Sequence, residues 1–176
     1  MPTRKRSRLQ TFDYASAGAY FVTICTRRRR AIFGCCVDDA LRPTSAALIV
    51  ERCWTEIPHH FRAVDADAFV VMPNHVHGVL LLGDGASPLP TIVGSFKSAT
   101  SREINMRTDS PGTQIWQRGY FERVVRTEEE LEAIRSYIFE NPAAWTEDPE
   151  NPARSEIVAS APWDEGRACP APTSRG

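Results

Sequence analysis

Ala66-Asp-Ala-Phe-Val-Val-Met72, Pro73-Asn74 and His75-Val-His-Gly-Val-Leu-Leu-Leu82 form the stretch on which the fold turns. Two runs rich in β-branched and aliphatic residues flank a two-residue connection, too short for anything but a turn between antiparallel neighbours. Side chains alternate along a strand, so His75, His77, Val79 and Leu81 share one face, and Val76, Gly78, Leu80 and Leu82 share the other. Val76 is expected in a core beneath helices. That puts two imidazoles side by side on the opposite face.

Upstream, Ala19-Tyr-Phe-Val-Thr-Ile-Cys-Thr26 predicts a central strand, ending in the four arginines 27–30. A loop containing Gly34 and Pro43 follows. Ala46, Ile49, Val50, Cys53, Trp54 and Ile57 then recur at helical spacing as far as Pro58. Downstream, Ile92, Val93, Phe96, Ala99 and Ile104 predict a second helix, and Trp116 to Arg126 a fourth strand, bulged near Gly119. Thr127-Glu-Glu-Glu130 is a capping box whose acids suit a helix N-terminus. The helix it opens is expected to stop near Asn141, because Pro142 disfavours helical geometry just before it. Leu131, Ile134 and Ile138 are its apolar stripe. The order β-α-β-β-α-β plus a C-terminal helix predicts an α+β, ferredoxin-like fold: an antiparallel sheet with helices on one face and the other face free.

With 176 residues, 42% hydrophobic and 24% charged, the chain is long enough for one stable core. The expected organisation is one domain over 1–146, with a basic N-terminal arm, and a proline-rich tail over 147–176. Five cysteines without a CxxC pair suggest neither a disulfide framework nor a zinc knuckle, and no apolar run is long enough for a membrane span. A cytoplasmic protein is expected. The net charge of -1 conceals an asymmetry, since residues 1–30 sum to +7 and residues 127–165 to -9. A polyanion partner and a solvated basic tail both fit that pattern.

A histidine pair of this spacing can share a metal ion, yet it also arises by chance in strands. Tyr137 and Asn141, four residues apart, lie on one face of the last helix. They could line a site, or they could be core packing and a C-terminal cap. Residue types alone leave both readings open.

Four motifs in order resemble one family. These are Asp13 to Thr26, Val71-Met-Pro-Asn-His-Val-His-Gly-Val-Leu80, Trp116-Gln-Arg-Gly-Tyr-Phe121, and Glu129 to Pro142 with its Tyr137-Ile-Phe-Glu-Asn141. Together they resemble the REP-associated tyrosine transposases, IS200-like members of the HUH class of single-strand transposases, over roughly residues 4–146. The resemblance implies Tyr137 as nucleophile, and His75, His77 and Asn141 as ligands of Mg2+ or Mn2+. It also implies a single-stranded DNA hairpin with a flanking tetranucleotide as partner, cut and rejoined through a 5′-phosphotyrosine. Arg4, Lys5, Arg6, Arg8 and Arg27, Arg28, Arg29 and Arg30, followed by Lys97, Arg102 and Arg118, are the candidate DNA contacts. Tyr120 is the rival nucleophile and Glu140 a candidate base. A monomer or homodimer fits, with Tyr137 serving its own histidines or a partner's. Two other readings stand beside this one: a ferredoxin-like nucleic-acid binding module without cleavage, and a zinc hydrolase built on the same histidines.

Overall fold

Residues 17–37 and 39–145 are described by the computed structural model. The arginine arm at 4–8 and the proline-rich tail lie outside the described residues. Strand β1 (Gly18–Cys25) leads through a 3-10 turn at Arg27–Arg29 into a small hairpin, β2 (Gly34–Val37) with β3 (Ala40–Pro43). Helices α1 (Ser45–Thr55) and α2 (Ile57–His60) follow, then β4 (Val64–Met72) and β5 (His75–Leu82). After α3 (Leu89–Arg107) come β6 (Phe121–Val125) and α4 (Glu128–Ala144). The main sheet is antiparallel, in the order β4-β5-β1-β6. That is the ferredoxin-like order expected from the sequence.

The central strands β1 and β5 of the main sheet send alternate side chains to opposite faces, as a period of two requires. Tyr20, Val22 and Ile24 of β1, with Val76, Leu80 and Leu82 of β5, are buried in one core with Ile49, Val50 and Trp54 of α1 and Ile92, Val93 and Phe96 of α3. Gly78 lies among them because Trp54 needs its space. A Cβ there would meet the indole at 2.7 Å from Cη2 and closer still at Cζ2. The indole stacks on Phe69 of β4 at a centroid distance of 4.5 Å.

Several local expectations change. The segment between β1 and α1 is not a plain loop, since Gly34–Val37 and Ala40–Pro43 pair as a second sheet. Pro58 does not simply end a helix: Thr55 closes α1, and Pro58 occupies the first turn of α2, where its missing N–H is no loss. The fourth strand is broken rather than bulged. Trp116 makes an isolated bridge to Thr26, Gly119 turns the chain at φ +82°, and only Phe121–Val125 joins the sheet. Most consequential is the sheet's second face. Leu131, Ile134 and Ile138 of α4 pack there on Val79 and Val125, so the face expected to be open is covered by the last helix. That helix also runs through Pro142 to Ala144, because so near its end the ring sacrifices at most one backbone bond.

Candidate active site

The hairpin between β4 and β5 places the histidines. Pro73 and Asn74 form its turn with negative φ, and the loop after β1 grips it from outside. Thr26 donates to the Asn74 carbonyl from its backbone N and its hydroxyl, both at 2.9 Å, and Phe33 N donates to the Pro73 carbonyl at 3.0 Å. Asn74 is fully buried, and its Nδ2 donates to the Arg29 carbonyl at 3.3 Å. Its Oδ1, turned the other way, lies 2.7 Å from Nδ1 of His75. A carboxamide oxygen can only accept, so Nδ1 of His75 carries the proton and Nε2 keeps a lone pair.

His77 is held in a similar way from the neighbouring strand. The register sets Thr23 of β1 opposite it, and Thr23 Oγ1 lies 2.8 Å from Nδ1. Both imidazoles are thus anchored through Nδ1, and their Nε2 atoms converge to 3.0 Å. His75 is 1% exposed and His77 6%. Burial, reinforced by the charge of Arg29, pushes the His75 pKa down to about 4, so the ring is neutral at physiological pH.

Helix α4 closes over this pair. Thr127 caps it by accepting from Glu130 N at 3.2 Å, while the Glu130 carboxylate accepts from Arg126 N at 2.9 Å. The return bond of the capping box therefore lands one residue before the cap. Arg135 forks onto both carboxylate oxygens of Asp67 on β4, at 2.9 and 2.7 Å, and also pairs with Glu132. That hydrogen-bonded guanidinium holds the Asp67 carboxyl below the usual carboxylate range, although burial opposes it. A bidentate pair fixes direction as well as distance, so it sets the azimuth of α4 on the sheet.

On the helix face so presented, Tyr137, Asn141 and Trp145 recur every four residues. The Tyr137 hydroxyl is 3.4 Å from Nε2 of His77, and the Trp145 ring lies 6.0 Å from that of His75. Asn141 is carried between those two contacts, 3% exposed, with its Oδ1 buried and without a hydrogen-bond partner among the described residues. Tyr137 itself remains 48% exposed. Phe21 joins the cluster, stacked on His77 at 5.4 Å and edge-on to Tyr137 at 6.3 Å.

This donor set could hold a metal ion. Two imidazole nitrogens 3.0 Å apart match neighbouring positions around one octahedral ion at about 2.1 Å. The Asn141 oxygen, which no described residue engages, is a third available donor. Among the described residues no cluster of three or more His, Cys, Asp or Glu side chains exists, so any site here relies on the carboxamide.

The remaining candidates fall in different places. Tyr120 is partly buried and packs against the α1 and α3 side of the sheet, on the core opposite the histidines. Glu140 is exposed. Cys25, Cys35, Cys36 and Cys53 are free thiols, and burial pushes Cys36 up to about 12. Arg27 and Arg28 are exposed, while Arg29 and Arg30 are half-buried. Lys97 spends two donors on the carbonyls of Gln117 and Gly119, at 2.7 and 3.0 Å, so it braces the loop that carries Arg118. Sequence reasoning missed Thr23, Asn74 and Trp145, whose roles depend on strand register and on α4 continuing past Pro142.

Residues 15–141 match the model of a family described as transposase IS200-like. The chain belongs to that family. An uncharacterised protein of Haemophilus influenzae is 31% identical over 166 residues, covering 82% of this chain and 91% of its own. Among solved structures, a REP-associated tyrosine transposase bound to a REP hairpin superposes with a TM-score of 0.59 at 20% identity, covering 81% of this IS200-like chain and 73% of that one. That superposition establishes a shared fold. Membership makes this chain a transposase, and hence a DNA-cleaving enzyme, by family. No helix among its described residues is long and apolar enough to cross a membrane.

Proposed function

We propose that this IS200-like transposase nicks and rejoins single-stranded DNA hairpins of the REP type through a covalent link to Tyr137. The observation that carries the reading is the approach of the half-exposed Tyr137 hydroxyl to His77 Nε2, which in turn faces His75 Nε2. A nucleophile must be reachable by a bulky substrate, while the groups that organise its target must be fixed. This site has that division.

In the forward step the phenol oxygen of Tyr137 attacks the scissile phosphorus and the bond to the 3′ oxygen breaks. The products are a 5′-phosphotyrosine and a free 3′-hydroxyl, and the phenolic proton leaves to solvent or a neighbouring base. Attack by a 3′-hydroxyl on the same phosphorus reverses the exchange without an external energy source. A free phenol, with a pKa of about 10, is mostly protonated at neutral pH, so hydrogen-bonding and charge near an attacking phenol oxygen matter. When bound by His75, His77 and Asn141, Mg2+ or Mn2+ would supply Lewis-acid polarisation of the phosphate. The protein's own share is orientation: Asn74 and Thr23 fix the rings, and the Asp67–Arg135 fork fixes the helix that bears Tyr137.

The packing of α4 also weighs against a plain binding module. Such a module stacks bases on exposed sheet aromatics, and here that face is buried under the helix.

The test incubates labelled single-stranded REP hairpins with the protein and Mg2+ or Mn2+, and resolves covalent adducts on a denaturing gel. An adduct is expected with the wild type and none with Tyr137→Phe. Nicking that persists in Tyr137→Phe, or that requires zinc instead, would overturn the reading in favour of a metal hydrolase. Thr23→Val keeps the shape and removes the hydroxyl. It is expected to raise the metal concentration needed for half-maximal cleavage about 10–100-fold, the usual effect of losing an outer partner of a ligand histidine. An unchanged metal requirement would show that the Thr23 contact is incidental.

A further inference from the structure

The last turn of α4 carries a proposed metal ligand on a weakened backbone. Pro142 has no N–H, so the bond that would close on the Ile138 carbonyl is missing, one residue after Asn141. Beyond it, Trp145 N reaches the Pro142 carbonyl at a long 3.4 Å. A helix end held this way frays unless something ties it down. The tie here is burial. Trp145 is 6% exposed although it closes the helix, and its ring lies 6.0 Å from that of His75 at a tilt of 41°. Helix α4 also comes against β3.

Both imidazoles have an aromatic wall. Phe21 stacks on His77 at 5.4 Å and 22°, the indole of Trp145 leans over His75, and the imidazoles meet edge to face at 4.5 Å. Phe21 belongs to the sheet. Trp145 belongs to the helix, four residues after Asn141 and eight after Tyr137, on the same face. The indole therefore joins one proposed ligand on the sheet, His75, to the helix that carries another, Asn141.

We infer that Trp145 is a positioning residue: its indole walls the His75 side of the metal pocket and couples the seating of the end of α4 to metal binding. The inference rests on the proposal that His75, His77 and Asn141 hold the ion. Two effects follow from one ring. An apolar wall limits the access of water to the Nε2 lone pairs, and such a shell governs how a site holds its metal. Burial of the ring also keeps the turn that bears Asn141 on the sheet, with an Oδ1 that no described residue engages shielded from solvent. Coupling of this kind is reciprocal. If a seated helix end strengthens metal binding, a bound metal must strengthen the seating by the same factor.

The test titrates full-length protein with Mn2+ alone, without DNA, and reads free Mn2+ by electron paramagnetic resonance. Beside it, hydrogen exchange of the amides from 138 to 145 is followed with and without Mn2+. Trp145→Ala is expected to weaken Mn2+ binding about 10–100-fold, and Trp145→Phe, which keeps a flat apolar ring, only a few-fold. Mn2+ should slow exchange at the end of α4 in the wild type and in Trp145→Phe, and leave it unchanged in Trp145→Ala. Wild-type affinity in a Trp145→Ala protein with native circular dichroism would overturn the inference. So would exchange at the wild-type helix end that ignores bound Mn2+, a result that needs no variant to fold. His75→Ala in the same titration tests the ligand set itself. Unchanged affinity there sinks the metal assignment and this inference together, whereas a loss in His75→Ala without one in Trp145→Ala sinks the inference alone.

Discussion

His75→Ala and His77→Ala are each expected to slow strand cleavage about a thousand-fold or more, while hairpin binding changes only a few-fold. Lewis-acid stabilisation of a phosphoryl transition state is worth several kcal/mol, and every 1.36 kcal/mol is a factor of ten in rate. Both rings present Nε2 to the same point, so removing either one leaves a single nitrogen there. The two variants should differ in stability. His75 is 1% exposed and its Nδ1 engages Asn74, whose other contact supports the loop after β1. Alanine at 75 therefore leaves a buried acceptor without its donor, at about 1–3 kcal/mol. His77 lies nearer the half-exposed Tyr137 and should be replaced at lower cost. Single-turnover rates on a labelled hairpin at saturating Mn2+ make the comparison, with urea unfolding beside them. Rates within a few-fold of wild type in both variants would show the pair to be structural.

Gly78→Ala is expected to destabilise the core strongly for a single added methyl. The added Cβ would sit inside contact distance of the Trp54 ring and 3.0 Å from Phe69. Trp54 cannot move aside easily, because it stacks on Phe69 and meets Phe96 edge-on at 5.4 Å. Overpacking of this kind costs about 1–3 kcal/mol, sometimes more, a large part of an ordinary domain's stability. Gly78 directly follows His77 on β5, so distortion there should also lower cleavage. Chemical denaturation measures the loss. Wild-type stability would mean that the indole repacks freely. The glycine after the histidines thus has a packing reason, on the strand face opposite to theirs.

Much of this arrangement could be read from residue order. The alternation through His75 to Leu82 and the two-residue turn gave the antiparallel hairpin, and the order of elements gave the ferredoxin-like sheet. The i, i+4 spacing of Tyr137 and Asn141 puts both on one helical face. What could not be read was depth and register. Leu131, Ile134 and Ile138 announce that α4 docks, but not on which side, so the face that looked free is buried. Thr23 gains meaning only once β1 and β5 are paired in register. Asn74 looks like an ordinary turn residue until its carboxamide is seen between Arg29 and His75. Cys35, Cys36 and Val37 are half-buried without alternation, which hides the β2–β3 hairpin from a period-of-two reading. Lys97 has the charge of a DNA contact, yet its geometry is that of a loop brace.

The link between chain and DNA is the most direct measurement. Wild-type protein is reacted with a single-stranded REP hairpin and Mn2+, the adduct is digested with protease and nuclease, and the modified peptide is sequenced by mass spectrometry. The expected result is a nucleotide phosphate on Tyr137, with release of a free 3′-hydroxyl on the other fragment. A phosphate on Tyr120, on the far side of the sheet from the histidines, would contradict the assignment of the site. So would cleavage that leaves no residue modified.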